Sequence, residues 1–310
     1  MSAYLYKSGS LRWVSQHLLA ILLCLLLTGC DFFISSGNHD DDDKEEVPPQ
    51  SEATVVTASA AAALPTLRTL TYNISHGKGT DGVLDLERIA AVIASQMPDL
   101  VALQEVDDET LRSLGVDQAA AIATAAGMPY FVFGRAIDYS GGEYGVAILS
   151  KYPLLLSGNE ALPVSDGFEP RTALWAEVAV PGIGQVLFVA THLEAYFEFQ
   201  DRVAQAIRLN ELFATALLTP AGTAMPPHVI VAGDLNAATG SAAINILSSE
   251  FIDAYTGVKD PTFPSIVPTD AYDWVIIDKD SPLASLQSWV LDETLASDHR
   301  PVVVDFELSN

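Results

Sequence analysis

The feature that most constrains this chain is a short β-branched run that ends in polar residues. Residues 228–236 read His-Val-Ile-Val-Ala-Gly-Asp-Leu-Asn. The run predicts a buried strand, and Asp234 and Asn236 follow it where the chain leaves the sheet. Open α/β sheets bind ligands outside the carboxyl ends of their strands. Gly, Asp and Asn also form turns, so this stretch alone favours a polar turn, and the rest of the chain has to decide.

Strand and helix patterns interleave from residue 66 to residue 310 without a linker-like stretch, which predicts one domain over this range. The strand patterns cover residues 67–73, 100–103, 130–133, 145–149, 173–180, 186–191, 274–277 and 302–308, and the helix patterns cover residues 85–95, 119–126 and 199–218. βαβ units mixed with consecutive strands predict an α/β sandwich, in which two packed sheets carry helices on their outer faces.

The first 29 residues have the pattern of an export signal. Lys7 and Arg12 precede an apolar stretch at 18–27 that is short for a membrane span. The stretch ends in Leu-Thr-Gly-Cys at 27–30, which resembles a bacterial lipobox. We therefore expect cleavage before a lipidated Cys30, and a protein anchored to a membrane on the exported side, in the cell envelope. An ordinary signal peptide with an incidental Cys30 is the alternative, and the leaflet stays open.

Residues 30–65 predict a disordered tether, because they combine an acidic run, prolines and an Ala/Ser-rich stretch. The chain carries 40 acidic and 15 basic residues, a net charge of −25. Such a chain repels polyanions, which argues against a dedicated DNA-binding role but does not exclude a nuclease. Both cysteines lie in the first 30 residues, so no disulfide can staple the main body.

Polar residues recur at one end of the predicted strands. Asn73 and Glu105 end strands that are 32 residues apart, which is enough for a helical crossover and makes the two strands parallel. Six segments place polar residues at such positions: Asn73, Glu105, His192, Asp234 with Asn236, Asp273, and Asp298 with His299. The last two segments precede their strands, so they join the others only if those strands run antiparallel. Six polar segments at one rim favour a functional site over a series of turns.

The residue types at this rim predict phosphate-ester hydrolysis. Asn, Glu and Asp offer hard oxygen ligands, which suit Mg²⁺ or Mn²⁺. Histidines beside carboxylates suit general acid/base work or the stabilisation of a negatively charged transition state. A hard cation that polarises a phosphoryl oxygen would complete such a site.

Six ordered segments resemble those of the endonuclease/exonuclease/phosphatase superfamily, which includes type I deoxyribonucleases, abasic-site endonucleases, neutral sphingomyelinases and inositol-polyphosphate 5-phosphatases. They read Thr-Tyr-Asn-Ile from residue 71, Pro-Asp-Leu-Val-Ala-Leu-Gln-Glu-Val from 98, Tyr-Gly-Val-Ala-Ile-Leu-Ser from 144, Thr-His-Leu from 191, Gly-Asp-Leu-Asn from 233 and Ser-Asp-His-Arg-Pro from 297. The resemblance covers residues 67–306 and implies a four-layer α/β sandwich like that of DNase I.

The resemblance also implies a metal site. Asn73 and Glu105 match the Mg²⁺-binding pair, and Asp298 matches a further carboxylate of that site. Arg171 would add positive charge on the substrate phosphate, although a surface ion pair explains this residue almost as well.

Five residues receive catalytic roles from the resemblance. Asp234 matches the residue that positions or deprotonates the attacking water, and Asn236 matches its orienting partner. His299 matches the phosphate-contacting histidine, with Asp273 orienting it, and His192 matches a second active-site histidine. Two further polar residues, Arg202 and Gln205, are predicted to be structural.

These observations predict a metal-dependent phosphoesterase, most simply a phosphodiesterase, acting on a lipid head group, an inositol phosphate or a nucleic acid. They imply no protein partner. DNA-repair members of the family that the chain resembles carry a Trp-Asn pair where this chain has Tyr72-Asn73. Residues 66–310 hold only 12 basic against 32 acidic residues, so the basic surface of those repair enzymes is not expected here. A secreted or surface nuclease is the second hypothesis. A non-catalytic surface-binding module that keeps the fold is the third.

Overall fold

Two six-stranded sheets lie face to face between two layers of helices. The computed structural model describes residues 65–196, 200–214 and 228–309. The strands are β1 Thr66–Asn73, β2 Leu100–Asp108, β3 Tyr130–Tyr139, β4 Gly142–Ser150, β5 Leu154–Ala161, β6 Thr172–Val180, β7 Gly184–His192, β8 His228–Asp234, β9 Phe251–Asp253, β10 Asp273–Asp278, β11 Leu283–Val290 and β12 Val302–Leu308. The α-helices are α1 Leu86–Gln96, α2 Gln118–Ala125, α3 Gln200–Leu209 and α4 Ala242–Leu247.

The strand order is β11-β12-β1-β2-β4-β3 in one sheet and β5-β6-β7-β8-β10-β9 in the other. Strands β1 and β2 are parallel, as are β7 and β8. Strand β12 is antiparallel to β1, and β10 is antiparallel to β8. The four-layer α/β sandwich predicted from the sequence is therefore confirmed, and so is the direction of the two strands whose starts were expected at the site.

The core between the sheets follows from strict alternation along the strands. On β8, Ile230 and Ala232 face the other sheet, whereas Val229 and Val231 pack on the helix side. On the other outer face, Ile89 and Ile93 of α1 cover the first sheet. Each sheet thus buries apolar residues on both of its faces, as a central layer of a sandwich must.

Polar caps fix where the helices begin. The side chain of Asp85 accepts a hydrogen bond from the backbone N–H of Arg88 at the start of α1, and Asp117 and Ser241 cap α2 and α4 in the same way. The helix predicted over 199–218 is described from Gln200 to Ala214. Its α-helical part, α3, runs to Leu209, and a π-helical turn follows over Asn210–Ala214; the remaining predicted residues lie outside the description.

The predicted signal peptide, Cys30 and the tether up to residue 64 lie outside the described residues. Their assignment, and the domain boundaries drawn from them, stay predictions. Among the helices that the structure describes, none is long and apolar enough to cross a membrane.

Candidate active site

The alternation of side chains that builds the core between the sheets also places the polar residues of the site. On β7 and β8, the core residues facing the opposite sheet end in Ala190 and Ala232, and His192 and Asp234 take the next place in each series. Asn73 holds the equivalent place at the end of β1, and Asp273 at the start of β10. Because all four positions lie at the same edge of the sheets, their side chains meet there.

A close approach of two strands sets the position of Asp234. A Cβ atom on Gly233 would lie 2.0 Å from the carbonyl oxygen of Thr191 on β7. Only glycine allows β8 to pair so tightly with β7 at this point. The parallel register then places Asp234 opposite His192. The glycine of the Gly-Asp-Leu-Asn segment is therefore required by packing, directly before Asp234.

Asp234 is the centre of the polar cluster. Its Oδ2 atom accepts a hydrogen bond of 3.1 Å from Asn73 Nδ2. The same oxygen lies 3.5 Å from His192 Nε2 and 3.6 Å from His299 Nε2. Its Oδ1 atom accepts 2.9 Å from the backbone N–H of Asn236. Burial raises the pKa of Asp234 to about 7, against the opposing effect of His299.

His299 is held as a cation. Its Nδ1 atom lies 2.9 Å from the fully buried carboxylate of Asp273, and its Nε2 faces Asp234. Burial lowers the pKa of His299, but the two carboxylates outweigh it and raise the pKa to about 10. The ring of Phe263 packs against the imidazole, with centroids 4.7 Å apart. An imidazolium ion therefore stands at the site at neutral pH.

His192 has the opposite character. Arg171 Nη1 lies 3.2 Å from His192 Nδ1. A guanidinium group only donates, so Nδ1 is the acceptor and Nε2 carries the proton of the neutral ring. Burial lowers the pKa of His192 well below its ordinary value, and the charges of Arg171 and His299 lower it further. The site thus pairs a neutral N–H donor, His192, with a cationic one, His299.

Arg171 is buried although it is charged. Its Nη1 atom pairs with Glu169 Oε1 at 2.8 Å, and its side chain is 7% exposed. Its Nε atom is buried and has no hydrogen-bond partner in the described part of the chain. Arg171 thus forms an ion pair of the kind that the sequence left open, and its Nε adds a buried donor that could bind an anion.

Glu105 sits on a β-bulge. The pairing of β2 with β4 shifts register between Gln104 and Val106, and Glu105 has a φ of 57°. Its Oε1 atom accepts 3.2 Å from Asn73 Nδ2. A non-glycine residue in the left-handed region is strained, and bulges of this kind redirect side chains next to active sites. Here the bulge turns Glu105 to Asn73, on the parallel neighbour β1.

Asp298 completes this side of the site from the loop before β12. Asp298 is exposed, whereas its neighbours Ser297 and His299 are buried. The Ser297 hydroxyl lies 2.7 Å from the carbonyl oxygen of Asn73 and 3.3 Å from Asp298 Oδ1. Burial raises the pKa of Glu105, and the charge of Asp298 raises it further. Two carboxylates that repel each other beside a carboxamide form a fitting donor set for a hard divalent cation.

A second group of potential ligands is less suited to a metal ion. Asp234, Asp273 and His299 offer atoms that lie within 4.8 Å of one another, all buried. Both ring nitrogens of His299 face carboxylates, and the raised pKa keeps both of them protonated. A protonated imidazole has no lone pair for a metal ion. Charge pairing therefore accounts for this group as it stands, and the oxygen atoms of Asn73, Glu105 and Asp298 are a second set that could hold a divalent cation.

The structure brings together the nine residues expected at the active site, whereas the expected lipidation residue Cys30 lies outside the described residues, and further residues join the site. Tyr144 is buried beside Glu105 and Arg171, and burial followed by the Glu105 charge raises its pKa. Ser297 ties Asn73 to the His299 loop, and Phe263 packs on His299. Tyr144 and Ser297 lie within the sequence segments that resemble the family, so the sequence could have identified them as site residues. Phe263 gave no signal in the sequence.

Comparison with protein families gives one match, to the Endonuclease/Exonuclease/phosphatase family over residues 70–299. Proteins of this family hydrolyse phosphate esters and generally depend on a divalent metal ion. A comparison with curated protein sequences gives no significant match.

Solved structures with this fold are numerous. An endonuclease/exonuclease/phosphatase from Beutenbergia cavernae is 26% identical, with a TM-score of 0.64 over 79% of this chain and 72% of that one. A mannosyl-6-phosphatase from Bacteroides thetaiotaomicron is 18% identical, with a TM-score of 0.63 over 77% and 99% of the two chains. The human Nocturnin catalytic domain with bound sulfate is 20% identical, with a TM-score of 0.59 over 79% and 94%.

Proposed function

We propose, from the premise that this chain belongs to the endonuclease/exonuclease/phosphatase family, that it is an Mg²⁺-dependent phosphodiesterase acting outside the cytoplasm. The observation that carries the proposal is the position of Asp234. One buried carboxylate oxygen faces Asn73, His192 and His299 within 3.6 Å. A carboxylate whose pKa is raised to about 7 has the basicity that a general base needs near neutral pH.

In this proposal Asp234 orients the attacking water and takes its proton. The Asn236 main chain holds Asp234 Oδ1, so that Oδ2 points into the site. His299, as an imidazolium fixed by Asp273, and His192, through its Nε2–H, donate hydrogen bonds to the phosphoryl oxygens. Donors fixed in place before the reaction stabilise charge that develops in the transition state.

Asn73, Glu105 and Asp298 would hold the divalent cation. When bound, the cation supplies Lewis-acid polarisation of the phosphoryl group and charge neutralisation at the leaving oxygen. The oxygen-only donor set supports Mg²⁺, with Mn²⁺ as a second ion of the same preference. Calorimetry with each ion on wild type and Glu105→Gln checks the assignment, because loss of the carboxylate charge should weaken binding at least tenfold.

The test of the proposed chemistry is Asp234→Ala assayed on a chromogenic phosphodiester with Mg²⁺. Removal of the general base and of the water-positioning carboxylate should cost at least about 1,000-fold in kcat. Asp278→Ala, at the other end of the neighbouring strand β10, serves as the matched control. Near-normal turnover by a folded Asp234→Ala protein would refute the assignment. Parallel assays of phosphomonoesters decide between diesterase and monoesterase activity.

The anchoring part of the proposal is supported by the sequence around Cys30. We propose that Cys30 carries lipid and tethers the catalytic domain to a membrane of the cell envelope, with a phosphate ester as substrate. Metabolic labelling with a fatty acid, compared between wild type and Cys30→Ser, tests this directly. Labelling that persists without Cys30 contradicts it.

The substrate is approached with a panel that contains sphingomyelin, inositol phosphates and plasmid DNA. The domain is strongly acidic, which supports a small or zwitterionic phosphate ester over a nucleic acid. Plasmid nicking that exceeds turnover of the small esters would instead assign the protein as a nuclease. Absence of both turnover and cation binding would leave a non-catalytic binding module.

A further inference from the structure

Arg202, near the start of α3, hydrogen-bonds to the main chain of two different loops. Its Nε atom donates to the carbonyl of Glu194 at 2.8 Å, and its Nη2 atom donates to the carbonyl of Tyr196 at 2.7 Å. Both acceptors follow His192. Its Nη1 atom donates to the carbonyl of Asn236, which follows Asp234. One side chain thus joins the segments that leave the adjacent strands β7 and β8.

The same two segments also bond to each other. Asn236 Nδ2 donates to the carbonyl of Leu193 at 3.0 Å, and the Leu193 N–H donates to the carbonyl of Asp234 at 2.9 Å. Helix α3 adds a second contact, because Gln205 Oε1 accepts 2.9 Å from the N–H of Glu194. Arg202 therefore closes a network around the segment that carries Asp234.

Asn236 needs such support. Its φ of 47° lies in the left-handed region, which asparagine enters more readily than most other non-glycine residues but still less readily than the right-handed region. Its N–H is the donor that holds Asp234 Oδ1. The N–H and the carbonyl of Asn236 belong to the two peptide units on either side of its Cα, so a change of φ or ψ there would rotate the unit bonded to Arg202 relative to the unit bonded to Asp234. The strained backbone and the position of the catalytic carboxylate are therefore linked.

Arginine suits this task for a geometric reason. A planar guanidinium presents several N–H donors in a fixed fork, so that one side chain reaches three carbonyls lying in different directions. A lysine ammonium at the same place has the charge but not the fork. Arg208, on the same helix, offers the contrast: its side chain is 39% exposed and pairs with Glu211 three residues later.

We propose that Arg202 is a positioning residue, which sets the orientation of the Asp234 carboxylate by holding Asn236 in its left-handed conformation against the loop after His192. Arg202 does not touch the substrate in this scheme. The proposal rests on the proposed function where catalysis is concerned. The clamp, by which we mean the hydrogen bonds of Arg202 to the carbonyls of Glu194, Tyr196 and Asn236, is a property of the fold that is measurable without a substrate.

The kinetic test compares Arg202→Ala, Arg202→Lys and the control Arg208→Ala on a chromogenic phosphodiester. Displacement of a catalytic group by a fraction of an ångström to 1 Å costs on the order of 100-fold, so kcat should fall about that much in both Arg202 variants, with KM changed less than about threefold. Arg208→Ala should retain wild-type kcat. Guanidinium at millimolar concentration should restore kcat at least about tenfold in Arg202→Ala, and not in Arg202→Lys or Asp234→Ala. A rise in KM at constant kcat would place Arg202 on the substrate and overturn the proposal.

The structural test is amide hydrogen exchange of the same proteins without substrate. Arg202→Ala should speed exchange at residues 193–196 and 234–237 together, while the centre of β8 keeps its protection. Unchanged exchange at both loops overturns the proposal, whatever the kinetics. If the wild type hydrolyses no phosphate ester, the proposed function fails, and the exchange experiment still decides on the clamp. Loss of protection throughout the domain would mean that Arg202 supports the fold as a whole, which also overturns the proposal.

Discussion

Replacement of Asp273 by asparagine should move the alkaline limit of activity. Asp273 is fully buried, and its Oδ2 atom lies 2.9 Å from His299 Nδ1. At that separation, with an effective dielectric constant of about 20, the attraction is about 6 kcal/mol, or about 4 pKa units. Asp273 is the largest influence that raises the pKa of His299 to about 10, against burial that lowers it. Asparagine keeps the volume and removes this charge.

The sign follows from the role given to His299. The imidazolium is the active form, so activity falls as pH rises through its pKa, in the wild type only near pH 10. In Asp273→Asn the descending limb of kcat/KM should begin about 3–4 pH units lower, which reduces kcat/KM at pH 8 by about 10- to 100-fold. The measurement is a pH–rate profile, with Asp278→Asn on the same strand as control. A descending limb that stays at the wild-type pH would refute the reasoning about His299.

Three further perturbations test separate parts of the structure. Arg171→Leu should lower kcat/KM about 10- to 100-fold, because it removes a buried cation from the phosphate site, whereas steady-state assays of the exposed Arg135→Leu should match the wild type. Glu105→Gly should abolish activity yet raise the free energy of unfolding without metal by about 1 kcal/mol in urea, because it removes left-handed strain and a buried carboxylate; a less stable variant would contradict this. Arg68→Ala should destabilise by about 1–3 kcal/mol at neutral pH. Burial raises the pKa of Asp305, but hydrogen bonds from Arg68 and Gln287 outweigh it and lower that pKa, so the ion-pair part of the stability difference should be lost as pH falls through it, while the contacts of Arg68 with Gln96 and Trp289 remain; urea curves that show an undiminished difference in acid would contradict this.

Strand ends were predictable because the signal is local. The run before Asp234 is β-branched and stops at a glycine, and the spacing from Asn73 to Glu105 requires a crossover. Three strands gave no readable pattern: β5 is largely exposed, β9 has three residues, and β11 lies at a sheet edge. Edge strands bury too little apolar surface to show a strong alternation.

The chemical state of each histidine could not be predicted. The sequence predicts that His192 and His299 lie near carboxylates. Their opposite charge states, however, depend on which group contacts each ring nitrogen. His192 meets the guanidinium of Arg171, and His299 meets the carboxylate of Asp273. The resemblance had already paired Asp273 with His299, but the contact of Arg171 with His192 Nδ1 is visible only in the folded arrangement.

The same limit explains the two left-handed residues of the site. Glu105 and Asn236 have φ values of 57° and 47°, and neither residue type requires this conformation. Each occupies the left-handed region because tertiary contacts hold it there: the bulge against β4 for Glu105, and the Arg202 bonds for Asn236. Strain of this kind persists only where the surrounding structure overdetermines it. The strained positions are also those that present the proposed metal ligand Glu105 and the N–H that bonds Asp234. In this fold, the placement of these groups therefore lowers local backbone stability, and the packed sheets on either side stabilise the chain enough to keep them in place.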